Sequence, residues 1–305
     1  MTLPGPSWIS EIGPIEGLTM RAWDLCDTLT DPSVGFVVPP IGVGDRLRHL
    51  AGLPGLTVLQ VVTAGYDHAV AHLPAGVTLC NAAGVHDTST AEFTVALILA
   101  AQRGIPEFVR AQERAEWIGH RAWPALGDRR VLIVGYGRIG RALAARLAPF
   151  EVSLTAVASR PRAGDELVER VHGIDELPWL LPQQDIVVLL TPLTDMTRGL
   201  VDAAFLAALP DGALVVNVAR GQVVDTGALL AETACGRLRA ALDVTDPEPL
   251  PPDHPLWSTP GVLVAPHVGG AGDTFGPRMV RLLREQLTRY AAGAPLLHVV
   301  AGPGA

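Results

Sequence analysis

Val131-Leu-Ile-Val-Gly135-Tyr-Gly137-Arg138-Ile139-Gly140 is the stretch that decides the fold. Arg130–Val134 reads as a buried strand and Gly135–Gly140 as a glycine turn. Arg141–Phe150 reads as a helix with apolar positions at Leu143 and Leu147, and Val152–Ala158 as the next strand. A GxGxxG between a strand and a helix is the context in which that spacing binds a dinucleotide. Gly135 permits the tight turn, Gly137 lets backbone approach a pyrophosphate, and Gly140 lets helix and strand pack closely. The helix N-terminus then offers unpaired N–H groups and a partial positive charge to the anion. The bland alternative is a glycine turn with no ligand. A Walker A loop is excluded, because no GxxxxGK is present.

Outward from this unit, apolar runs alternate with longer helix-like segments, the α/β pattern. Towards the C-terminus, strands are expected at Asp185–Leu190, Ala213–Asn217, Ala240–Val244 and Val262–Ala265. Helices are expected at Asp202–Ala208 and Thr226–Cys235, with a final amphipathic one over Gly272–Ala292. Towards the N-terminus, strands are expected at Thr19–Trp23, Gly35–Val38, Thr57–Val62 and Val77–Cys80. A crossover helix follows, with Thr90 as its N-cap, and Gly104–Pro106 separates it from a second helix over Glu107–Trp117. Two domains are expected: 1–95 with 273–305, and 96–272.

Composition narrows the class. Of 305 residues, 49% are hydrophobic and only 18% charged, which argues for a sizeable core and against disorder. A net charge of −8 argues against nucleic acid, where affinity rests on neutralising phosphates. The longest apolar run, Val95–Ala101, is far short of the roughly 20 residues of a membrane span. Met1–Ser10 shows no signal-peptide pattern, so a cytoplasmic protein is expected. Cys26, Cys80 and Cys235 lie far apart and form no CxxC, so neither a disulfide framework nor a metal site is expected.

The end of the second strand bears on which dinucleotide binds. An NAD site usually has Asp or Glu there to accept from the ribose 2′-OH. Here the strand ends in Ser159-Arg160-Pro161-Arg162, and Asp165 comes several residues late. Ser159 can donate to a 2′-phosphate and Arg160 can pair with one. NADP(H) is therefore favoured, with NAD(H) possible. The competing reading is that both arginines decorate a solvent loop.

Three downstream segments place a polar residue just past an apolar strand, the edge where parallel sheets bind ligands. Val215–Gly221 carries Arg220, whose planar fork suits a carboxylate. Leu242–Pro249 carries Asp243 and Glu248 in a proline-stiffened loop. Val262–Gly270 carries His267 between Pro266 and a glycine pair. Singly, each is more often structural: a surface arginine, a solvated acidic loop, a core histidine. The other eight histidines, His49, His68, His72, His86, His120, His172, His254 and His298, take that bland reading. Together, Arg220, Glu248 and His267 make a reductase set. Arg220 would hold a carboxylate and polarise the adjacent carbonyl. His267 would protonate the oxygen as nicotinamide delivers hydride, and Glu248 would orient the ring.

With these motifs in order, the chain resembles the D-isomer-specific 2-hydroxyacid dehydrogenase family. The matching stretches are Gly135–Gly140, Thr191-Pro192 to Thr197-Arg198-Gly199, Asn217 to Gly221, Asp243 to Pro249, and Pro266 to Gly270, with Gln60 to Asp67 and Ala91-Glu92 upstream. The resemblance implies two Rossmann-like domains with parallel sheets and an interdomain cleft, the first domain built from both termini. It maps the family's catalytic Arg, Glu and His onto Arg220, Glu248 and His267, and its carboxamide-binding aspartate onto Asp243. Further cofactor contacts are implied at Gly135, Gly137, Arg138, Ile139, Gly140, Ser159, Arg160, Arg162, Thr191, Pro192, Thr197 and Val218. Substrate contacts are implied at Ala64, Gly65, Arg220 and His267, and a homodimer through the cofactor domain.

Departures from the family's branches narrow the substrate. No arginine precedes the Ala64–Gly65 loop, as phosphoglycerate-type members have, and no lysine stands at Ala64, as in phosphite-oxidising ones. Glu248 is not the glutamine of formate-oxidising relatives. The Ser159–Arg162 loop resembles NADPH-preferring glyoxylate/hydroxypyruvate reductases. The expected activity is reduction of a small 2-keto acid to its D-2-hydroxy acid. The rivals are an NAD(H) enzyme for a bulkier keto acid, a non-catalytic dinucleotide-sensing protein, and a methyltransferase. The last would leave Arg220, Glu248 and His267 unexplained. Trp117, Trp123 and Trp257 are candidates to border the substrate pocket, though packing explains each as well. Met1–Leu56 matches no pattern.

Overall fold

In the computed structural model, which describes residues 1–305, the chain divides into a unit of 1–86 with 272–305 and a second of 87–271. The first begins with β1 (Thr2–Leu3), α1 (Pro6–Ile12), β2 (Arg21–Ala22), β3 (Phe36–Val37), β4 (Val58–Gln60), α2 (Asp67–Val70) and β5 (Thr78–Cys80). Its five strands pair in parallel in the order β2-β1-β3-β4-β5. Side chains alternate across a strand, so Phe36, Val58 and Cys80 enter one core and Val37, Leu59 and Leu79 the other. Burial on both faces is why β3 and β4 read as apolar runs, whereas Arg21 and Ala22 of β2 are not buried.

The second unit opens with α3 (Asp87–Gln102) and α4 (Ile105–Glu113), separated at Gly104, whose φ is +67°. Then come β6 (Arg130–Val134), α5 (Arg138–Leu147), β7 (Ser153–Ala158), β8 (Arg162–Ala163), β9 (Arg170–Gly173), α6 (Leu177–Leu180) and β10 (Ile186–Leu189). The unit closes with α7 (Ala203–Ala207), β11 (Leu214–Asn217), α8 (Thr226–Ala234), β12 (Arg239–Leu242) and β13 (Val262–Val264). The sheet order is β13-β12-β11-β10-β6-β7-β9-β8, parallel throughout except for β8 against β9. Val131, Ile133, Ile186 and Val188 fill one core, and Leu132, Val134, Val187 and Leu189 the other. From β6 the chain winds outward through β7 and β9, then returns to β10 on the other side of β6. That reversal opens a crevice at the carboxyl ends of β6 and β10. At their opposite ends Asp185 fixes the register, accepting from Arg130 N at 2.9 Å, Nε at 3.0 Å and Nη2 at 2.8 Å. The Arg130 guanidinium holds the Asp185 carboxyl below the usual carboxylate range.

The chain then returns to the first unit with α9 (Phe275–Ala291) and β14 (Val299–Ala301), the latter antiparallel to β5. Buried Gln286 closes this return. Its Nε2 donates to Gln60 Oε1 at 2.8 Å and Leu297 O at 3.0 Å, and its Oε1 accepts from Leu297 N at 2.8 Å. Leaving such a buried amide unpaired would cost about 1–3 kcal/mol.

Several expectations shift. Thr90 is not an N-cap: α3 begins at Asp87, and Thr90 sits buried inside it. The helix's buried positions mix Ser89, Thr90, Thr94 and Gln102 with apolar residues, so no amphipathic period marks its start. Helix α5 begins at Arg138, not Arg141, so the end of the glycine motif forms its first turn. Helix α1, β14 and the β8–β9 hairpin were not expected. The units divide at 86/87 and 271/272. A boundary at 95/96 would cut α3 in two. No helix is long and apolar enough to cross a membrane.

Candidate active site

Strands β11, β12 and β13 lie side by side in register, Asn217 beside Leu242 and Leu242 beside Val264. The loops that follow them therefore emerge together at the carboxyl edge of the sheet. From the third comes His267, with Nδ1 2.6 Å from Glu248 Oε1 in the second. The carboxylate accepts, so Nδ1 carries the proton and Nε2 remains for a ligand. His267 has φ +55°, in the left-handed region that costs a side-chain-bearing residue energy. Asp243, 3% exposed, holds that conformation from below. Its carbonyl accepts from His267 N at 2.8 Å, Oδ1 from Val268 N at 2.8 Å and Oδ2 from Gly269 N at 2.9 Å. Four bonds thus fix one partly exposed imidazole, the rigidity that proton transfer needs.

Arg220 follows β11. Buried Asn217 shapes its turn, accepting from Ala219 N at 3.0 Å and donating to Arg220 O at 3.0 Å. The Arg220 guanidinium is partly buried and donates to Ala219 O at 2.7 Å. Gly221 has no room for a side chain: a Cβ would lie 1.9 Å from Thr245 O.

At the reversal, Gly135 has φ +112°, and a Cβ there would lie 2.5 Å from the Leu190 carbonyl carbon. At Gly140 a Cβ would lie 2.4 Å from Gly135 O. At Gly137 it would meet nothing within 4 Å. Two glycines thus serve packing and one leaves an open approach. Arg138, the first residue of α5, donates from Nε to Asp87 Oδ2 at 3.0 Å, and Ile139 is partly buried behind it. Thr191, just past β10, is buried with no partner for Oγ1. Thr197 Oγ1 donates to Pro192 O at 2.6 Å and accepts from Thr194 N at 2.8 Å, bracing that loop. Val218 is buried, with N donating to Leu189 O at 3.3 Å.

Beyond β7, Ser159, Arg160 and Arg162 are exposed. Arg162, rather than Arg160, lines a depression of about 360 Å³ with Tyr136, Gly137, Arg138, Arg141 and Asp165. Its Nη2 donates to Tyr136 O, inside the glycine turn, at 2.6 Å.

A family model described as "D-isomer specific 2-hydroxyacid dehydrogenase, NAD binding domain" matches residues 95–269. The chain belongs to the D-isomer-specific 2-hydroxyacid dehydrogenases. The glyoxylate reductase of Thermofilum pendens is 35% identical over 252 residues, 79% of this chain and 73% of its own length. The human glyoxylate reductase/hydroxypyruvate reductase is 32% identical over 261 residues, 83% of this chain and 79% of its own. The solved D-isomer specific 2-hydroxyacid dehydrogenase from Xanthobacter autotrophicus Py2, in complex with NADPH and MES, matches with a TM-score of 0.79 at 34% identity. It covers 96% of this chain and 94% of that one. The protein is thus an NAD(P)-dependent 2-hydroxyacid dehydrogenase or reductase.

The residues of this 2-hydroxyacid dehydrogenase fit its dinucleotide. Gly137 leaves open space where backbone must approach at the start of α5, and the Thr191 hydroxyl, just past β10, is buried without a partner. Ala64 and Gly65 stand in the first unit, in the loop after the interior strand β4. Asn81 Nδ2 donates to Ala64 O at 2.7 Å and Thr63 Oγ1 to Gly65 O at 2.7 Å, fixing that loop. His86 packs in the interior, with Nε2 2.9 Å from Val62 O and its ring stacked on Phe275. No group of His, Cys, Asp and Glu could hold a metal. Two roles escaped the sequence reading, that of Asp243 as the brace of the His267 loop and that of Asp165. Asp165 lies too far along the chain to count as the strand-end acid, yet it folds back against the glycine turn.

Proposed function

We propose that the protein reduces a small 2-keto acid of the glyoxylate or hydroxypyruvate class to the D-2-hydroxy acid, with NADPH preferred over NADH. The observation that carries this reading is the His267–Glu248 pair, 2.6 Å apart at the sheet edge where Arg220 also emerges. Arg220 binds the substrate carboxylate and polarises the neighbouring carbonyl. His267 Nε2 gives a proton to the keto oxygen, and Glu248 keeps the ring oriented. When bound, the nicotinamide supplies the hydride; Asp243 orients its carboxamide and the start of α5 holds the diphosphate.

Three guanidinium groups, Arg138, Arg141 and Arg162, line the depression by the glycine turn and suit a 2′-phosphate. One observation favours NADH: Asp165 lines the same depression. Its oxygens, however, already accept from Tyr136, Arg141, Leu167 and Val168. The Xanthobacter relative holds NADPH, and several relatives carry glyoxylate or hydroxypyruvate reductase names.

The test is loss of reduced-nicotinamide absorbance with NADPH and NADH against 2-keto acids from glyoxylate to phenylpyruvate. The expected result is fastest turnover with NADPH and glyoxylate or hydroxypyruvate. Turnover confined to NADH and phenylpyruvate would replace it with a dehydrogenase for bulky acids. Binding of both cofactors without any reduction would replace it with a sensing protein.

The proposal includes a homodimer through the cofactor-binding unit. Ile105, Phe108 and Val109 are exposed along α4, and Trp117 follows, 97% exposed, an apolar face that association would cover. Sedimentation at twice the chain mass is expected; a monomer at micromolar concentration rules the dimer out.

A further inference from the structure

The hairpin β8–β9 carries an acid that an NAD site would use differently. Asp165 Oδ1 accepts from Tyr136 Oη at 3.0 Å and from its own hairpin's Leu167 N at 3.0 Å and Val168 N at 3.3 Å. Its Oδ2 accepts from Arg141 Nε, on α5, at 3.0 Å. Arg141 also pairs with Glu166. Tyr136 stands between the first two glycines of the turn, and its carbonyl is the group that receives Arg162 Nη2 at 2.6 Å. The segment from Arg162 to Asp165 is therefore fastened to the turn at both ends.

We propose that Asp165 is a positioning residue for cofactor selectivity: it fastens the hairpin to Tyr136 and Arg141, and so holds the Arg162 guanidinium beside the glycine turn for the 2′-phosphate of NADP(H). This rests on the preference for NADPH proposed above. An acid that accepts a ribose 2′-OH needs an open lone pair facing the cofactor. Asp165 instead spends its oxygens on four donors of the protein. Burial opposes its charge, but those hydrogen bonds together keep its pKa below the usual carboxylate range. Burial and the adjacent Asp165 push the Tyr136 hydroxyl upward, so it stays a donor. The cation is thereby set by a second layer of bonds, not by a free surface arginine.

The test uses the full chain without keto acid. Affinities for NADPH and NADH are read from quenching of tryptophan fluorescence, and for 2′,5′-ADP by calorimetry. Arg162→Ala is expected to weaken NADPH and 2′,5′-ADP by about 10-fold or more, the scale of a lost charge-assisted contact, with NADH within twofold. Asp165→Ala is expected to weaken the same two ligands by roughly 5–10-fold, again sparing NADH. Combined with Arg162→Ala it should add nothing, because it acts through that arginine. Tyr136→Phe removes one of the four donors and should give a smaller loss of the same kind, and it serves if Asp165→Ala fails to fold.

A selective loss in Arg162→Ala with none in Asp165→Ala overturns the positioning role and leaves the NADPH preference standing. Full additivity in the double variant, or equal weakening of both cofactors by Asp165→Ala, overturns the positioning role too. Weakening of NADH beyond NADPH in Asp165→Ala shows instead that Asp165 accepts the ribose hydroxyl. An unchanged NADPH affinity in Arg162→Ala overturns the positioning role, and a parent chain that binds NADPH no more tightly than NADH overturns the preference on which it rests.

Discussion

Replacing His267 with alanine or asparagine is expected to lower kcat by about 10²–10⁴-fold, the usual contribution of a positioned general acid. Both variants are needed because of the backbone. His267 sits at φ +55°, and asparagine tolerates the left-handed region better than alanine does. Asparagine keeps that conformation and removes only the proton donor. The side chain is 46% exposed, so neither change empties a core. Dinucleotide affinity and the unfolding midpoint should stay near the parent's. Glu248→Gln keeps the shape of the orienting partner but removes its charge, and a loss of roughly 10²-fold is expected. Near-normal turnover in His267→Asn would remove the proton-donor role. A loss confined to His267→Ala would assign the effect to the loop and not to the imidazole.

The glycine turn offers the second large effect, and its two halves separate cleanly. Gly135→Ala places a Cβ 2.5 Å from the Leu190 carbonyl carbon, 2.6 Å from its oxygen and 2.7 Å from Thr191 N. These are backbone atoms at the end of β10, which cannot yield without parting β10 from β6. The φ of +112° adds strain of its own. A cost of about 3–5 kcal/mol is expected, read as a lower denaturation midpoint. Gly137→Ala meets nothing within 4 Å and has φ −95°, which alanine adopts freely. Its unfolding midpoint should barely move. Its affinity for NADPH should fall by an order of magnitude or more, because the methyl group occupies the diphosphate's approach. A stable Gly135→Ala, or a Gly137→Ala with normal affinity, would show that the turn is not built this way.

Where burial on both faces enforces an apolar run, the sequence was legible to the residue. Strand β6 spans Arg130–Val134 as read, and β11 and β13 fall within a residue of expectation. The three loops past β11, β12 and β13 were legible because proline and glycine mark them. The β8–β9 hairpin was not, because Arg162, Ala163 and Arg170 are exposed and leave no apolar pattern. Its fastening is the Asp165 side chain, and a count along the chain places that residue too late to matter. The Gly164-Asp165 pair ahead of Leu167-Val168 was the available turn signal. Helix α1 also left a mark, Pro6 at its first position with Trp8, Ile9 and Ile12 at helical spacing. The bracing role of Asp243 could not be read, since its partners are backbone amides some 25 residues on.

The split of the first unit across the chain has a consequence for synthesis. Residues 87–271 form an uninterrupted insert whose strands pair only with one another. The host unit waits: β5 gains β14 only at Val299–Ala301, and Gln60 meets Gln286 across 226 residues. As the chain emerges from the ribosome, the insert has its full sheet while the host still shows the open edge of Thr78–Cys80. At about 5–20 residues per second, the roughly 200 intervening residues leave that edge unpaired for about 10–40 s. The nascent host half is thus the part of this enzyme most exposed to wrong pairing, and the part a chaperone would hold.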